Sequence, residues 1–320
     1  MRVHSSAGLA IRLPAAYPTV TVRMWTSIRA ARRRLRYESW HLLHLYAYLG
    51  VGLALPHQLW TGQQFMESPA RTVFWWTLWG VAAVAVVTWR VGLPAWRTVR
   101  HRLRVTSVVP EAGGIVSVYL TGRHLDGLGV EAGQFLSWRF LGRRGWTRAN
   151  PYSLSAAPDG RSLRITVQPV GDGSAGLLSL RPGTRALVEG PYGRLSARAR
   201  TGDKVALIGA GVGITPLRSL AEGLAYAPGE AVLVHRYGQQ PLFAGELAVL
   251  AAERGLRVVD LPGHRAHPAN HPRSLLRHVP DLAHRDVYVC GPQQWADEIG
   301  RAAIAAGLPP EHLHIETFAW

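Results

Sequence analysis

From Trp40 to Trp89 the chain carries only two charged residues, Glu67 and Arg71. So little charge over such a length suits the interior of a core or a bilayer, because a buried charge without a partner is costly. Two runs are free of Asp, Glu, Lys and Arg: Trp40 to Met66 and Thr72 to Trp89, joined by a loop around Glu67 and Pro69. About 20 apolar residues cross about 30 Å of hydrocarbon, so both runs are candidate spans. Trp40, Trp60, Trp75, Trp76 and Trp89 fall near the expected ends, where indole favours the interface. The expectation is an α-helical transmembrane hairpin over residues 38–93; the alternative is a buried hairpin of a soluble protein.

Charge placement bears on the same question. The 320 residues hold 36 Lys plus Arg against 20 Asp plus Glu, a balance that fits nucleic acid or an anionic membrane surface. Six arginines lie from Arg23 to Arg36 and five from Arg90 to Arg104, each cluster abutting an apolar run. That position favours a juxtamembrane anchor and argues against a nucleic-acid partner. With arginine outside both ends of the hairpin, the positive-inside rule would put both termini, and everything after the hairpin, in the cytoplasm, and the expectation is a multi-pass cell-membrane protein. Residues 1–37 form a basic segment whose first part, Met1 to Val22, is read as disordered or poorly packed rather than as a signal peptide, since Arg12, Pro14 and Pro18 interrupt any apolar core. A misassigned start is the alternative.

His41, His44 and His57 lie in the first run. An ionisable side chain at membrane depth is a functional hypothesis by default, and imidazole is a common axial ligand of haem iron. The 13 residues from His44 to His57 rise about 20 Å in a helix, enough to serve two stacked haems. Their directions differ by about 140° on an ideal helix, so a kink at Pro56 would have to re-aim His57. Haem b held by His44 and His57, completed by a partner membrane subunit, a homodimer or sequence missing from this chain, is one reading. A haem-free anchor is the other.

From His101 the pattern changes to short alternating runs: Leu103 to Val109, Gly114 to Leu120, Gln134 to Leu141, Tyr152 to Ala156, Leu163 to Pro169 and Arg185 to Glu189. Six such strands predict a small antiparallel β-barrel over residues 99–199. Gly171-Asp172-Gly173-Ser174 opens a short helix through Leu180, whose start could meet an anion or be a plain serine cap. Residues 202–320 alternate strands and helices: Val205 to Ile208, Ala231 to His235, Leu242 to Glu253, Leu256 to Asp260, Asp286 to Val289 and Pro292 to Ala306. This is the pattern of an α/β doubly wound sheet. Gly209-Ala210-Gly211-Val212-Gly213-Ile214-Thr215-Pro216 turns its first strand into a helix, and the glycines permit close approach to a phosphate. Cys290 is the single cysteine, which excludes a disulfide or a four-cysteine cluster built from these residues. His264, His267 and His271 occupy a Pro-rich loop without a helical frame to fix them on a metal.

The stretch Arg148-Ala149-Asn150-Pro151-Tyr152-Ser153-Leu154 has an extended backbone before proline, then alternation that sends the Tyr ring and Ser hydroxyl to opposite faces. It resembles the flavin motif of the ferredoxin reductase family, and more closely the ferric reductase and NADPH oxidase version, with Asn150 in the place of a His. Gly190-Pro191-Tyr192-Gly193, the Gly-rich turn, Val287-Tyr288-Val289-Cys290-Gly291-Pro292 and the terminal Glu316-Thr317-Phe318-Ala319-Trp320 resemble further motifs of that family, in order. The first apolar run resembles one haem helix of a truncated ferric reductase-like transmembrane domain.

The resemblance implies FAD and NAD(P)H as cofactors. Asn150, Pro151, Tyr152, Ser153 and Leu154 would hold the flavin, with Gly173, Ser174 and Arg148 at its pyrophosphate. Gly209, Gly211, Gly213, Thr215 and Pro216 would hold the dinucleotide, Arg236 a 2'-phosphate, and Gly291 and Pro292 the nicotinamide side. Cys290, Ser153 and Glu316 would be catalytic, and Trp320 would cover the flavin until nicotinamide displaces it. The implied function is a membrane-anchored flavin oxidoreductase passing electrons from NAD(P)H through FAD to haem, a ferric chelate or a redox protein. The alternative is a non-catalytic or weakly active FAD-binding subunit or remnant of a larger electron-transfer complex.

Overall fold

The computed structural model describes residues 50, 52–62, 68–142, 145–263 and 271–318. It divides into two units, up to Ala85 and from Val86 onward. The first contains a helix over residues 52–61 and most of α1 (Pro69–Val87). Trp60 meets Trp76 edge to face at 5.7 Å between centroids, so the two helices touch through indoles. No residue of α1 is buried. The helix continues through a π-helical turn, Thr88–Gly92, into α2 (Leu93–His101). Among the described residues this 33-residue helix alone is long and apolar enough to cross a membrane. The first expected span lies largely outside the described residues, His41 and His44 with it; His57 is exposed on its helix.

The second unit begins with two antiparallel sheets. One has the order β1 (Arg104–Pro110), β2 (Val116–Thr121), β5 (Ser162–Val167); the other has β4 (Asn150–Ser153), β3 (Phe135–Phe140), β6 (Ala186–Tyr192). The expected strands form, but not the expected closed barrel. Among the described residues the two ladders are linked by two isolated bridges, Leu154 with Ile165 and Arg104 with Arg185. A few backbone bonds flank the bridges: the Ser155 amide donates to the Arg164 carbonyl at 2.8 Å, and the Gly183 amide to the Val105 carbonyl at 2.8 Å. Alternation in β3 buries Leu136, Trp138 and Phe140 between the sheets together with Leu120, Leu154 and Ile165. α2 is fixed to this body by Arg97, which donates to the Gly190 carbonyl, and by the buried His101.

The remainder is a five-stranded parallel sheet in the order β11 (Leu313–Phe318), β10 (Asp286–Pro292), β7 (Val205–Ala210), β8 (Ala231–Tyr237), β9 (Arg257–Pro262). Every residue of β7 is buried, as a central strand covered on both faces requires. α4 (Ile214–Gly223) and α5 (Ala244–Arg254) pack on one face and α7 (Gln293–Ala305) on the other; α3 (Asp172–Ala175) and α6 (Pro272–Leu276) are short. β11 was not expected as a strand, because the terminal segment shows no alternation long enough to mark one. It pairs in parallel with β10, placing Glu316 opposite Cys290.

A charged cluster locks the parallel sheet's helices to the antiparallel pair. Arg164 of β5 grips both carboxylate oxygens of Glu246 in α5, at 2.7 and 2.9 Å. Arg218 of α4 reaches the same carboxylate at 2.7 Å and also pairs with Glu222. Glu222 accepts from the Ala157 amide at 2.6 Å, and Arg164 and Arg218 both donate to the Ser155 carbonyl. Burial would raise the Glu246 carboxyl, but the two guanidinium groups outweigh it and hold the group below the usual carboxylate range.

Candidate active site

Strands β7 and β10 are neighbours whose connections run to opposite sides of the sheet, so their carboxyl ends border a topological switch point, where open α/β sheets bind ligands. The Gly-rich turn leaves β7 there and the Cys-Gly-Pro segment ends β10 there. A cleft of about 540 Å³ opens between this edge and the antiparallel pair. That is within the range of about 300–1,000 Å³ usual for ligand sites.

Its walls come from four places. Phe135 of β3 and Asn150, Pro151, Tyr152 and Ser153 of β4 form one; Thr166, Val167 and Gln168 close the end of β5. Arg148 stands beside the Gly171–Ser174 turn, and Val212, Thr215, Glu316 and Thr317 come from the parallel sheet. Asn150 ties two of these together: its Nδ2 donates to the Arg148 carbonyl at 3.3 Å, and its Oδ1 lies 3.1 Å from where a Cβ on Gly173 would sit. Ser174 keeps its hydroxyl in its own turn, accepting from the Val170 and Gly171 amides at 3.1 Å each and donating to the Gly171 carbonyl at 2.9 Å.

A smaller hollow of about 200 Å³, lined by Gly211, Gly213, Arg236 and Pro292, shares Gln168, Val170 and Val212 with the cleft. Gly211 has φ +55°, a conformation that favours glycine. Gly213 is constrained by space: a Cβ there would overlap the Cys290 carbonyl and Gly291 Cα. Thr215 Oγ1 donates to the Val212 carbonyl at 2.9 Å and stiffens the turn. His235, fully buried in β8 beside this turn, is pushed down to about 4 by burial, against the Gly211 backbone that favours its charged form.

Glu316 carries the main electrostatic feature of the cleft. Burial raises its carboxyl to about 7. Its Oε2 is buried without a hydrogen-bond partner among the described residues, while Oε1 sits 3.0 Å from the Cβ position of Gly193. Cys290 is fully buried, and burial followed by the charge of Glu316 raises its thiol far above the ordinary range. It is therefore a thiol at neutral pH.

Of the residues singled out from sequence, Arg148, Asn150, Pro151, Tyr152, Ser153, Gly173, Ser174, Thr215 and Glu316 share the cleft, and Gly211, Gly213, Arg236 and Pro292 the adjoining hollow. Others support the site from beneath. Leu154 packs between the antiparallel sheets, Gly209 lies against Leu217 and Ile214, Gly291 lies against Trp295, and Pro216 is buried in the first turn of α4. Trp320, His264 and His267 lie outside the described residues. Sequence reasoning missed Phe135, Thr166, Gln168 and Val212. Phe135 lay in an expected strand, yet only the pairing of β3 with β4 aims it at the cleft.

No family model matches the chain. The ferredoxin reductase component of a 3-ketosteroid-9-alpha-monooxygenase from Mycolicibacterium smegmatis is 33% identical over 243 residues, 68% of this chain and 65% of that protein. The ferredoxin–NAD(+) reductase component of an alkene monooxygenase system from Xanthobacter autotrophicus is 30% identical over 237 residues, 68% of this chain and 70% of that protein. Among solved structures, the FAD/NAD-binding domain of a nitric oxide dioxygenase from Vibrio cholerae superposes with a TM-score of 0.55 at 24% identity, covering 68% of this chain and 99% of that one. The chain belongs to the ferredoxin reductase-type FAD/NAD-binding flavoproteins. The relatives are NAD(P)H-dependent FAD oxidoreductases, and FAD and NAD(P)H are their cofactors. The chain spans just under two thirds of the first of them.

The cleft fits those cofactors by its own features. Tyr152 and Ser153 both line it, as do Arg148 and the glycine turn at Gly171 and Gly173, residue types suited to a flavin ring and to a phosphate. Gly213 has no room for a side chain, and Glu316 presents an unsatisfied oxygen.

Proposed function

We propose that this chain is a membrane-anchored reductase that passes electrons from NAD(P)H by way of FAD to a separate redox protein. The observation that carries it is the joining, in one cleft, of Tyr152 and Ser153 from β4 with Thr215 and Glu316 from the sheet's switch point. When bound, FAD supplies the exchange between a two-electron donor and a one-electron acceptor. Tyr152 offers an aromatic face and Ser153 a hydroxyl to orient the flavin, and Arg148 fixes a positive charge for its pyrophosphate. Gly211, Gly213 and Thr215 hold the nicotinamide dinucleotide, with Arg236 toward its adenosine phosphate. Glu316 holds or releases a proton at Oε2 near neutral pH, because its carboxyl sits at about 7. Cys290 stays protonated and sets the packing of Glu316 on β10.

The relatives' roles as reductase components of oxygenase systems support a ferredoxin or oxygenase as acceptor. The 33-residue apolar helix supports the anchor, with the reductase body on the arginine-rich, cytoplasmic side. The test is an absorption spectrum of the detergent-purified full chain before and after anaerobic NADPH or NADH, with ferricyanide reduction followed in parallel. Flavin bands that bleach and a dye that is reduced are expected; a chain with no flavin, or with flavin neither nucleotide bleaches, overturns the reading. Sharp reduced b-type haem bands would move the acceptor to haem. Cys290→Ala should slow bleaching more than it lowers flavin content.

A further inference from the structure

Between Ser68 and Pro110 the chain has no acidic residue, while arginines recur at 71, 90, 97, 100, 102 and 104. Arg97 is engaged with the Gly190 carbonyl. Arg100, Arg102 and Arg104 stay exposed at the end of α2 and the start of β1, and the turn after β2 brings Arg123 and His124 alongside. The Arg123 amide donates to the His101 carbonyl at 2.7 Å, which pins that turn to the helix end.

Two adjoining hollows result, sharing Val99 and Arg102. One, of about 270 Å³, is lined by Trp96, Arg100, Arg123 and His124; the other, of about 340 Å³, by Arg104 and Arg185. Neither has a carboxylate in its wall. Attraction to the helix carboxyl end accounts for Arg100 and for Arg102, whose Nε donates to the Val99 carbonyl at 3.2 Å. It does not account for Arg104, whose Nη1 donates to the Gly183 carbonyl at 3.1 Å, or for Arg123 and Arg185, which arrive from separate parts of the antiparallel sheets. Apolar groups line the same helix: Trp89, Val91, Trp96 and Val99 are 67%, 62%, 55% and 66% exposed. Arg100 lies over the Trp96 ring at 5.6 Å. Exposed indole beside guanidinium suits the water–lipid boundary.

We propose that this face seats the phosphates of anionic phospholipid headgroups and holds the reductase body against the membrane. It rests on the membrane reading above for the bilayer itself. The charge-free run Thr72 to Trp89 covers about 27 Å as a helix, so α2 emerges at headgroup level. Each guanidinium at an anionic surface favours the bound state about fivefold.

The test places the full chain in nanodiscs of phosphatidylcholine, alone or mixed with phosphatidylglycerol, and follows amide hydrogen exchange over residues 96–104 and 121–128. Exchange there should slow at least about fivefold with phosphatidylglycerol. R100Q/R102Q/R123Q should abolish the slowing, and R257Q/R277Q/R301Q, on the parallel-sheet domain, should keep it. R104Q/R185Q serves if circular dichroism shows the triple variant unfolded. Equal exchange in both discs, slowing that survives the substitutions, or equal slowing by duplex DNA overturns the proposal. Incorporation resistant to alkaline carbonate but without lipid preference would sink this inference and leave the anchor standing. Recruitment only to phosphatidylglycerol vesicles, released by salt, would keep this inference and sink the anchor.

Discussion

Two partly buried carboxylates in this protein are treated in opposite ways. Glu246, at the seam between the antiparallel pair and the parallel sheet, is gripped by Arg164 and Arg218, each side chain under a tenth exposed. Its carboxyl is held below the usual range, with burial outweighed by those partners. Glu316, in the cleft, has one oxygen with no partner among the described residues, and burial raises it to about 7. A buried charge is tolerated when paired and expensive when not. The seam thus keeps its charges matched and fixes the two halves, while the cleft keeps a proton-exchanging group in reserve. An unsatisfied, perturbed carboxyl in a cleft marks a functional site more strongly than any matched pair.

The comparison can be broken most forcefully at the seam. Glu246→Ala leaves Arg164 and Arg218 buried side by side, and the loss should be about 3 kcal/mol, near the lower end for breaking a buried pair because Glu246 is partly exposed. Urea denaturation measures it; a change within error would mean that the seam is not held by charge. Gly213→Ala comes next, at on the order of 2 kcal/mol for overpacking. Gly213 has φ −61°, which alanine adopts freely, so the effect is steric, against Cys290 and Gly291. KM for NAD(P)H should rise with flavin content unchanged; equal loss of flavin would argue that the turn supports both halves.

Glu316→Gln should have the smallest effect on stability, and only over part of the pH range. A carboxyl raised in the folded state stabilises fully below its unfolded value of 4.5, and that contribution is lost as pH rises through about 7. Glutamine stays neutral throughout, so the variant should match the parent near pH 4 and exceed it by on the order of 1 kcal/mol at pH 8. Melting temperatures across that range decide it, and a parallel pH profile for both proteins would show that Glu316 is not desolvated.

Much of the fold was legible in the sequence. Alternation located all six antiparallel strands to within a few residues, and the apolar run Val205 to Ile208 with its glycine turn marked the central strand of the parallel sheet. The cleft was legible where motif and wall coincide, at Arg148, Asn150 to Ser153, Thr215 and Glu316, and the adjoining hollow at Gly211 and Gly213. It was not legible at Thr166 or Gln168, because what a strand end faces depends on its partner's register, here Val116 with Val167. Nor did the sequence distinguish a closed barrel from two sheets joined at Leu154 and Arg104, since the same alternation serves both.

By itself the sequence determined most of the order of strands and helices, the charge-free helix and the chemistry available at each motif, because these follow from residue type and local period. Only the tertiary structure decided that Glu316 lies opposite Cys290, that Arg164 meets Glu246 across 82 residues of chain, and that Arg123 joins Arg100 beside α2. Each of those depends on long-range packing, and burial rather than residue type then sets the proton affinity of the carboxylate.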